Sequence, residues 1–233
     1  MILKSKKINE NFLITISCIG AYLVGEHLEG LMVIILYEIG KILEEKSPIY
    51  CLGEIVHNSQ VIESLENKGM ITVENIEDVP DNAVLIFRAH GEPEYKYDLA
   101  KQKNLELHDL TCGNVISIHK KVQKEKDDSF IIILGKKKHP EVLGTKGFAG
   151  ENYYVVETED DILDAYMEYE KTDIGRVYVV AQTTISSSYF DILAEEIEKN
   201  FIEAEVVIDK TICNATEIRQ KETQLSKGLR FFF

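Results

Sequence analysis

The chain has 233 residues, with 40 acidic against 26 basic side chains and a formal net charge of -14. Such a charge repels nucleic-acid phosphates and anionic membrane surfaces, which argues against both as partners. With 45% hydrophobic and 28% charged residues the composition is that of a globular chain, and no stretch approaches the roughly 18 apolar residues of a membrane span.

The opening Met1-Ile2-Leu3-Lys4-Ser5-Lys6-Lys7 and the apolar run at 12–17 loosely imitate a signal sequence. The apolar run is short, no small-residue cleavage pattern follows it, and Gly25-Glu26-His27 is already charged, so the run reads as a strand and the protein as cytoplasmic. From Pro48 onward short strands alternate with helices, the pattern of parallel α/β layers. A strand at 49–56 leads to His57. Ser59 is placed to cap a helix through Val61, Ile62 and Leu65 to Lys68, with Gly69 as its left-handed stop. Strands follow at 70–74 and at Val84–Phe87, the latter leading into Ala89-His90-Gly91. Pro93 opens a helix through Leu99 to Lys103. A strand at 105–111 runs into Cys112, and Val115, Ile118 and Val122 then keep helical spacing.

A second unit repeats this scheme. The strand Phe130–Leu134 precedes a loop carrying Lys136-Lys137-Lys138-His139-Pro140-Glu141-Val142, and Tyr153–Val156 is the next strand. An acidic helix at 159–170, a strand at 177–181 before Gln182-Thr183-Thr184, and a helix through Phe190, Leu193, Ile197 and Phe201 come next. A last strand at 206–208 stands shortly before Cys213. These elements divide the chain into a first α/β lobe at 1–111, a second at 112–209 and the stub of a third at 210–233. The closing Leu229-Arg230-Phe231-Phe232-Phe233 is an apolar cluster of the sort that is usually covered, and reads as the beginning of a unit whose remainder is missing.

Six of these runs end in residues that bind metal or phosphate, and ligands of open parallel sheets gather beyond the carboxyl ends of strands. The expectation is a shared cavity lined by His57, His90, Cys112, His139, Glu141, Thr183 and Cys213. The cysteines at 18, 51, 112 and 213 form no C-x-x-C pair, which favours metal ligation or burial over disulfides. Cys51 lies within an apolar strand pattern and reads as core. Cys112 and Cys213 follow strands and precede Asn114 and Asn214, in equivalent settings. Burial as small hydrophobes and shared metal ligation are both open for them. His57, His90 and His139 could donate charged hydrogen bonds to a diphosphate, or join cysteine in a zinc site. His108 and His119 read as surface or structural histidines, and Glu141 as a solvated loop carboxylate.

Taken together, Ile55-Val56-His57-Asn58, Ala89-His90-Gly91, Thr111-Cys112, His139-Pro140-Glu141-Val142, Gln182-Thr183-Thr184 and Thr211-Ile212-Cys213-Asn214-Ala215-Thr216 resemble, in order and approximate spacing, the 4-hydroxy-3-methylbut-2-enyl diphosphate reductase family, LytB/IspH. The likeness covers roughly residues 48–224. It implies a three-lobed, trefoil α/β protein with repeated small sheets and a 4Fe-4S cluster held by one cysteine from each lobe, Cys112 and Cys213 among them. It further implies that His57, His90 and His139 hold the substrate diphosphate, that Glu141 relays protons and that Thr183 contacts the substrate hydroxyl. The implied reaction converts hydroxymethylbutenyl diphosphate to isopentenyl and dimethylallyl diphosphates, with ferredoxin or flavodoxin as electron donor. The family's first cysteine sits in a C-x-G pattern that opens a helix about twenty residues before the strand at Pro48, a register that here holds Leu28-Glu29-Gly30. Cys18-Ile19-Gly20 has the pattern earlier in the chain, so Cys18 is the candidate third ligand unless that ligand is lost. The family's third lobe also brings a serine-asparagine-serine segment to the diphosphate, and the sequence stops short of one. Two other readings stand beside this one: a non-catalytic fragment of the same family, and a zinc-dependent α/β hydrolase.

Overall fold

In a computed structural model of the chain, residues 10–23, 27–56 and 58–213 are described. The described residues before Tyr50, together with Asn58–Ile71, form one compact unit, and the remainder form a second.

The first unit begins with two helices, α1 (Glu10–Leu23) and α2 (His27–Lys46), where the sequence predicts a strand at 12–17. No turn residue interrupts the apolar run, so helical pairing continues through it. Ile14, Cys18 and Ala21 are half-buried along one stripe, while Ile16, Ile19 and Leu23 are exposed on another. Strand β1 (Ile49–Leu52) ends earlier than expected. Helix α3 (Ser59–Glu66) is capped by Asn58 and not by Ser59, since the Asn58 side chain accepts the N–H groups of Gln60 at 3.1 Å and Val61 at 3.2 Å. Gly69 is left-handed, with φ of 105°, before β2 (Met70–Val73).

Next come β3 (Val84–Phe87), α4 (Glu94–Gln102), β4 (Glu106–Asp109) and α5 (Gly113–Glu125). Then β5 (Phe130–Leu134), α6 (Pro140–Lys146), β6 (Tyr153–Val156), α7 (Asp161–Tyr169), β7 (Arg176–Ala181), α8 (Ser187–Asn200) and β8 (Glu205–Ile208) complete the described residues. Their strands form two four-stranded sheets with orders β2-β1-β3-β4 and β6-β5-β7-β8, so the second sheet repeats the strand order of the first. The pairs β3–β4, β5–β6, β5–β7 and β7–β8 are parallel.

Parallel sheets are covered on both faces, which is why β5 reads Phe-Ile-Ile-Ile-Leu with every residue buried. Alternation sends Phe130, Ile132 and Leu134 into a core with Leu193, Ile197 and Phe201, and sends Ile131 and Ile133 against Ile118, Val122 and Val142. In the first sheet Leu52, Leu85 and Phe87 pack with Ile76 and Ala100, and the Phe87 ring meets Tyr97 edge-on at 5.0 Å. Cys51 is core as predicted: fully buried, its thiol donates to Gly53 O at 3.4 Å, and burial pushes its pKa up to about 12. Among the described residues no helix is long and apolar enough to cross a membrane.

Truncating Phe87 to alanine should leave a cavity between β3 and α4 and cost about 3–5 kcal/mol. Chemical denaturation checks this, with a lower midpoint at unchanged slope as the expected result.

Candidate functional site

The carboxyl ends of the strands carry the candidate residues. After β5 the chain turns sharply, and the His139 N–H donates to Lys136 O at 2.9 Å. Side chains of adjoining loops grip this turn by its backbone, with Gln182 Oε1 accepting the Lys136 N–H at 3.1 Å and Glu157 Oε2 the Lys137 N–H at 3.0 Å. His139 then caps α6. Its Nδ1 accepts the Glu141 N–H at 3.2 Å, which puts the ring proton on Nε2. The sequence reads 139–142 as loop; the structure makes it the start of a helix, because proline in the first turn lacks only an N–H that has no helical partner anyway.

Glu141 on that helix is 3% exposed. Its carboxylate accepts the Thr183 N–H at 2.6 Å and the Thr183 hydroxyl at 2.8 Å. Burial holds its pKa above the ordinary carboxyl range, and the two Thr183 donors only partly offset that. Glu141 is therefore no solvated loop carboxylate but a buried acid that keeps its proton to higher pH. Thr183, at the end of β7, also accepts the Cys213 N–H on its carbonyl at 3.0 Å.

The turn after β3 supplies His90, whose ring stands edge-on to His139 with centroids 5.5 Å apart. Two glycines make this approach possible. Gly91 has φ of 75°, a conformation that L side chains rarely adopt, and a Cβ there would lie 2.6 Å from His119 Cε1. Gly144 on α6 presses against the same turn, where a Cβ would meet Gly91 O at 3.0 Å. Arg88 and Glu92 flank the turn, and the nearly buried Glu92 pairs with Lys96 at 2.8 Å and Arg88 at 3.6 Å. Beneath lies His119, expected at the surface or with its bonds satisfied. It is buried against Phe148, with ring centroids 4.4 Å apart, and its Nε2 has no hydrogen-bond partner among the described residues. Burial lowers its pKa to about 4, against a smaller opposing influence of Asp109.

His90, His139, Pro140 and the lysines at 136–138, with Glu157, line a cleft of about 610 Å³. His57 lies outside the described residues. His108 is half-exposed beside Glu106 at 3.2 Å.

Both half-buried cysteines of this unit meet the same helix. Cys112 is the N-cap of α5 and donates its N–H to Ala89 O at 3.0 Å, while Asn114 in the first turn of α5 donates its amide to Cys213 Sγ at 3.2 Å. Asn114, Gln182 and Glu157 are contacts that sequence reasoning does not assign; only the position of Asn114 two residues after a strand-end cysteine hints at its part. Cys18 lies in the middle of α1, in the other unit, with its sulfur 3.7 Å from Gly30 O, and Leu28 falls in the first turn of α2. Among the described residues no group of three or more His, Cys, Asp or Glu side chains could hold a metal. They supply two soft thiol donors of the kind iron-sulfur clusters use, but not a full ligand set.

Sheets with parallel strand pairs, whose strand-end loops carry imidazoles, a buried acid and two half-buried thiols, define an α/β protein with its candidate residues at the strand ends. Residues 36–228 match the family described as LytB protein. A 4-hydroxy-3-methylbut-2-enyl diphosphate reductase of Francisella philomiragia is 38% identical over 185 residues, covering 77% of this chain and 57% of that protein. One of Clostridioides difficile is 35% identical over 179 residues, covering 76% and 62%. The solved structure of the E-1-hydroxy-2-methyl-but-2-enyl-4-diphosphate reductase from Plasmodium falciparum superposes with a TM-score of 0.69 at 34% identity, covering 80% of this chain and 58% of that one. The chain belongs to the LytB family. It spans less than two thirds of the length of the relatives it matches.

Two outcomes test this geometry. Gly144→Ala should destabilise by about 1–3 kcal/mol despite the better helix propensity of alanine, because backbone and not a flexible side chain opposes the new methyl; a thermal melt reads it. His119 is neutral in the fold at pH values where an unfolded imidazole, titrating at 6.5, takes up a proton. Stability should therefore fall as pH drops from 6.5 toward 4, by at most about 1.4 kcal/mol per pH unit. Against a His119→Gln control the parent should lose Tm faster on acidification, and parallel curves would contradict the assignment.

Proposed function

We propose that the chain works in the cytoplasm in the reduction of 4-hydroxy-3-methylbut-2-enyl diphosphate to isopentenyl and dimethylallyl diphosphates. Loss of the allylic hydroxyl as water needs an electron pair and protons. The observation that carries the reading is the buried Glu141, held by both donors of Thr183 and two residues from a histidine that faces His90. In this reading His90 and His139, with His57, bind the diphosphate through charge-assisted hydrogen bonds. Glu141 in its protonated form donates to the departing hydroxyl, and burial, by raising the pKa, lets the carboxyl hold that proton to higher pH than an exposed one would. The Thr183 hydroxyl donates to Glu141 Oε2 and keeps lone pairs with which to accept from the substrate hydroxyl. Cys112 and Cys213, with Cys18 as the remaining candidate, would hold a 4Fe-4S cluster, which when bound would deliver electrons from a ferredoxin or flavodoxin.

Glu141→Gln separates proton delivery from binding. The amide keeps an acceptor for the Thr183 N–H and gains a donor for the Thr183 oxygen, so the fold should survive. With anaerobically reconstituted protein, dithionite and a viologen mediator, turnover should fall by about 10²–10⁴-fold. The dissociation constant for inorganic diphosphate should stay within about threefold, since the carboxyl is not its ligand. Undiminished turnover in the variant would remove Glu141 from the reaction. Absence of turnover in the parent would refute the reductase reading for this chain.

A further inference from the structure

The cleft beside His90 and His139 also contains the positive charge of lysine. In a chain of net charge -14, three consecutive lysines line it, at 136, 137 and 138. Their side chains are not needed to shape the loop, which is held through its backbone by Gln182, by Glu157 and by the His139 N–H. The three ammonium groups are not equivalent. Lys137 pairs with Asp161, which raises its pKa, and lies 5.8 Å over the Tyr154 ring. Among the described residues Lys136 and Lys138 make no ion pair, and the carboxylate of Glu157, the acid in the cleft, already accepts the Lys137 N–H.

Lys136 and Lys138 are exposed on one cleft wall, so their charge can meet an anion in the cleft with little loss of hydration. We propose that Lys136 and Lys138 bind the diphosphate headgroup alongside His90 and His139. This rests on the reading that the cleft takes the substrate diphosphate and adds the residues that set its charge requirement. An imidazole gives a directed hydrogen bond, whereas a lysine is a mobile point charge on a long stem. The lysines can therefore follow the outer oxygens of the headgroup while the histidines fix the inner ones. Because inorganic diphosphate presents the same two bridged phosphoryl groups as the ester, the loop should also give the chain measurable affinity for it.

Isothermal titration of the whole 233-residue chain with inorganic diphosphate, without magnesium and at low salt, tests this. The Lys136→Gln/Lys138→Gln double variant should bind about tenfold or more weakly and lose much of the salt dependence of the parent. Lys137→Gln should stay within about twofold, its charge being committed to Asp161. Dimethylallyl diphosphate should show the same loss in the double variant, and melting curves should match the parent. If the double variant binds both ligands like the parent while His139→Gln weakens them, the lysine assignment is wrong and the histidine site stands. If Lys137→Gln loses as much as the double variant, general charge and not these two residues is responsible, which also overturns the assignment. A loss confined to inorganic diphosphate removes the lysines from substrate recognition. A parent chain that binds neither ligand refutes both the lysine assignment and the diphosphate reading.

Discussion

The approach of two backbones at Gly91 and Gly144 is the constraint on which the candidate site depends. His90 belongs to the turn after β3 of the first sheet and His139 caps the helix after β5 of the second, and nothing in the sequence between them fixes their separation. The absence of two side chains does. A Cβ at Gly144 would stand 3.0 Å from Gly91 O, and one at Gly147 would stand 2.4 Å from the Cβ of Pro93, so the chain from Gly91 to Pro93 lies flush against the last turn of α6. His119 fills the space behind the seam. Its stacking on Phe148 and its neutral, poorly hydrated ring suit it to a place where a charged group would be expensive.

Thr183 is the second point of convergence. Through its N–H and hydroxyl it holds Glu141, and through its carbonyl it holds the Cys213 N–H. A buried acid and a thiol are thus tied to the same residue at the end of β7. The arrangement at Cys112 has the same form, its N–H resting on the carbonyl of Ala89 after β3. Since the strand orders of the two sheets repeat, β4 with Cys112 and β8 with Cys213 are edge strands in corresponding positions. One backbone device, repeated, fixes both cysteines.

Much of this was legible in the sequence. Strands of buried parallel sheets announce themselves as short apolar runs, so β5 and β6 fall where the residues predict them, and the spacing of Phe190, Leu193, Ile197 and Phe201 marks the inner face of α8. What failed was local competition. The 12–17 run has β-forming composition, yet helical pairing through its neighbours prevails, and Asn58 outcompetes Ser59 as a cap because its longer side chain reaches two amide groups. Of the site, the histidines, the acid and the threonine could be named from motifs. The grip of Gln182 and Glu157 on the lysine turn, and that of Asn114 on Cys213, could not, because they join residues separated by 46, 20 and 99 positions and leave no periodic trace.

The burial of Cys51 has a consequence for how the protein ages. With a pKa near 12, only about one molecule in 10⁵ carries that thiolate at neutral pH, and nothing from solvent reaches it. Peroxide and electrophiles attack thiolates, so Cys51 is chemically silent. Cys112 and Cys213 are half-buried, and a strand-end carbonyl, of Ala89 and of Thr183 respectively, holds the N–H of each. Thiol oxidation in this unit therefore reaches Cys112 and Cys213 before the core, and an oxidised chain can remain folded.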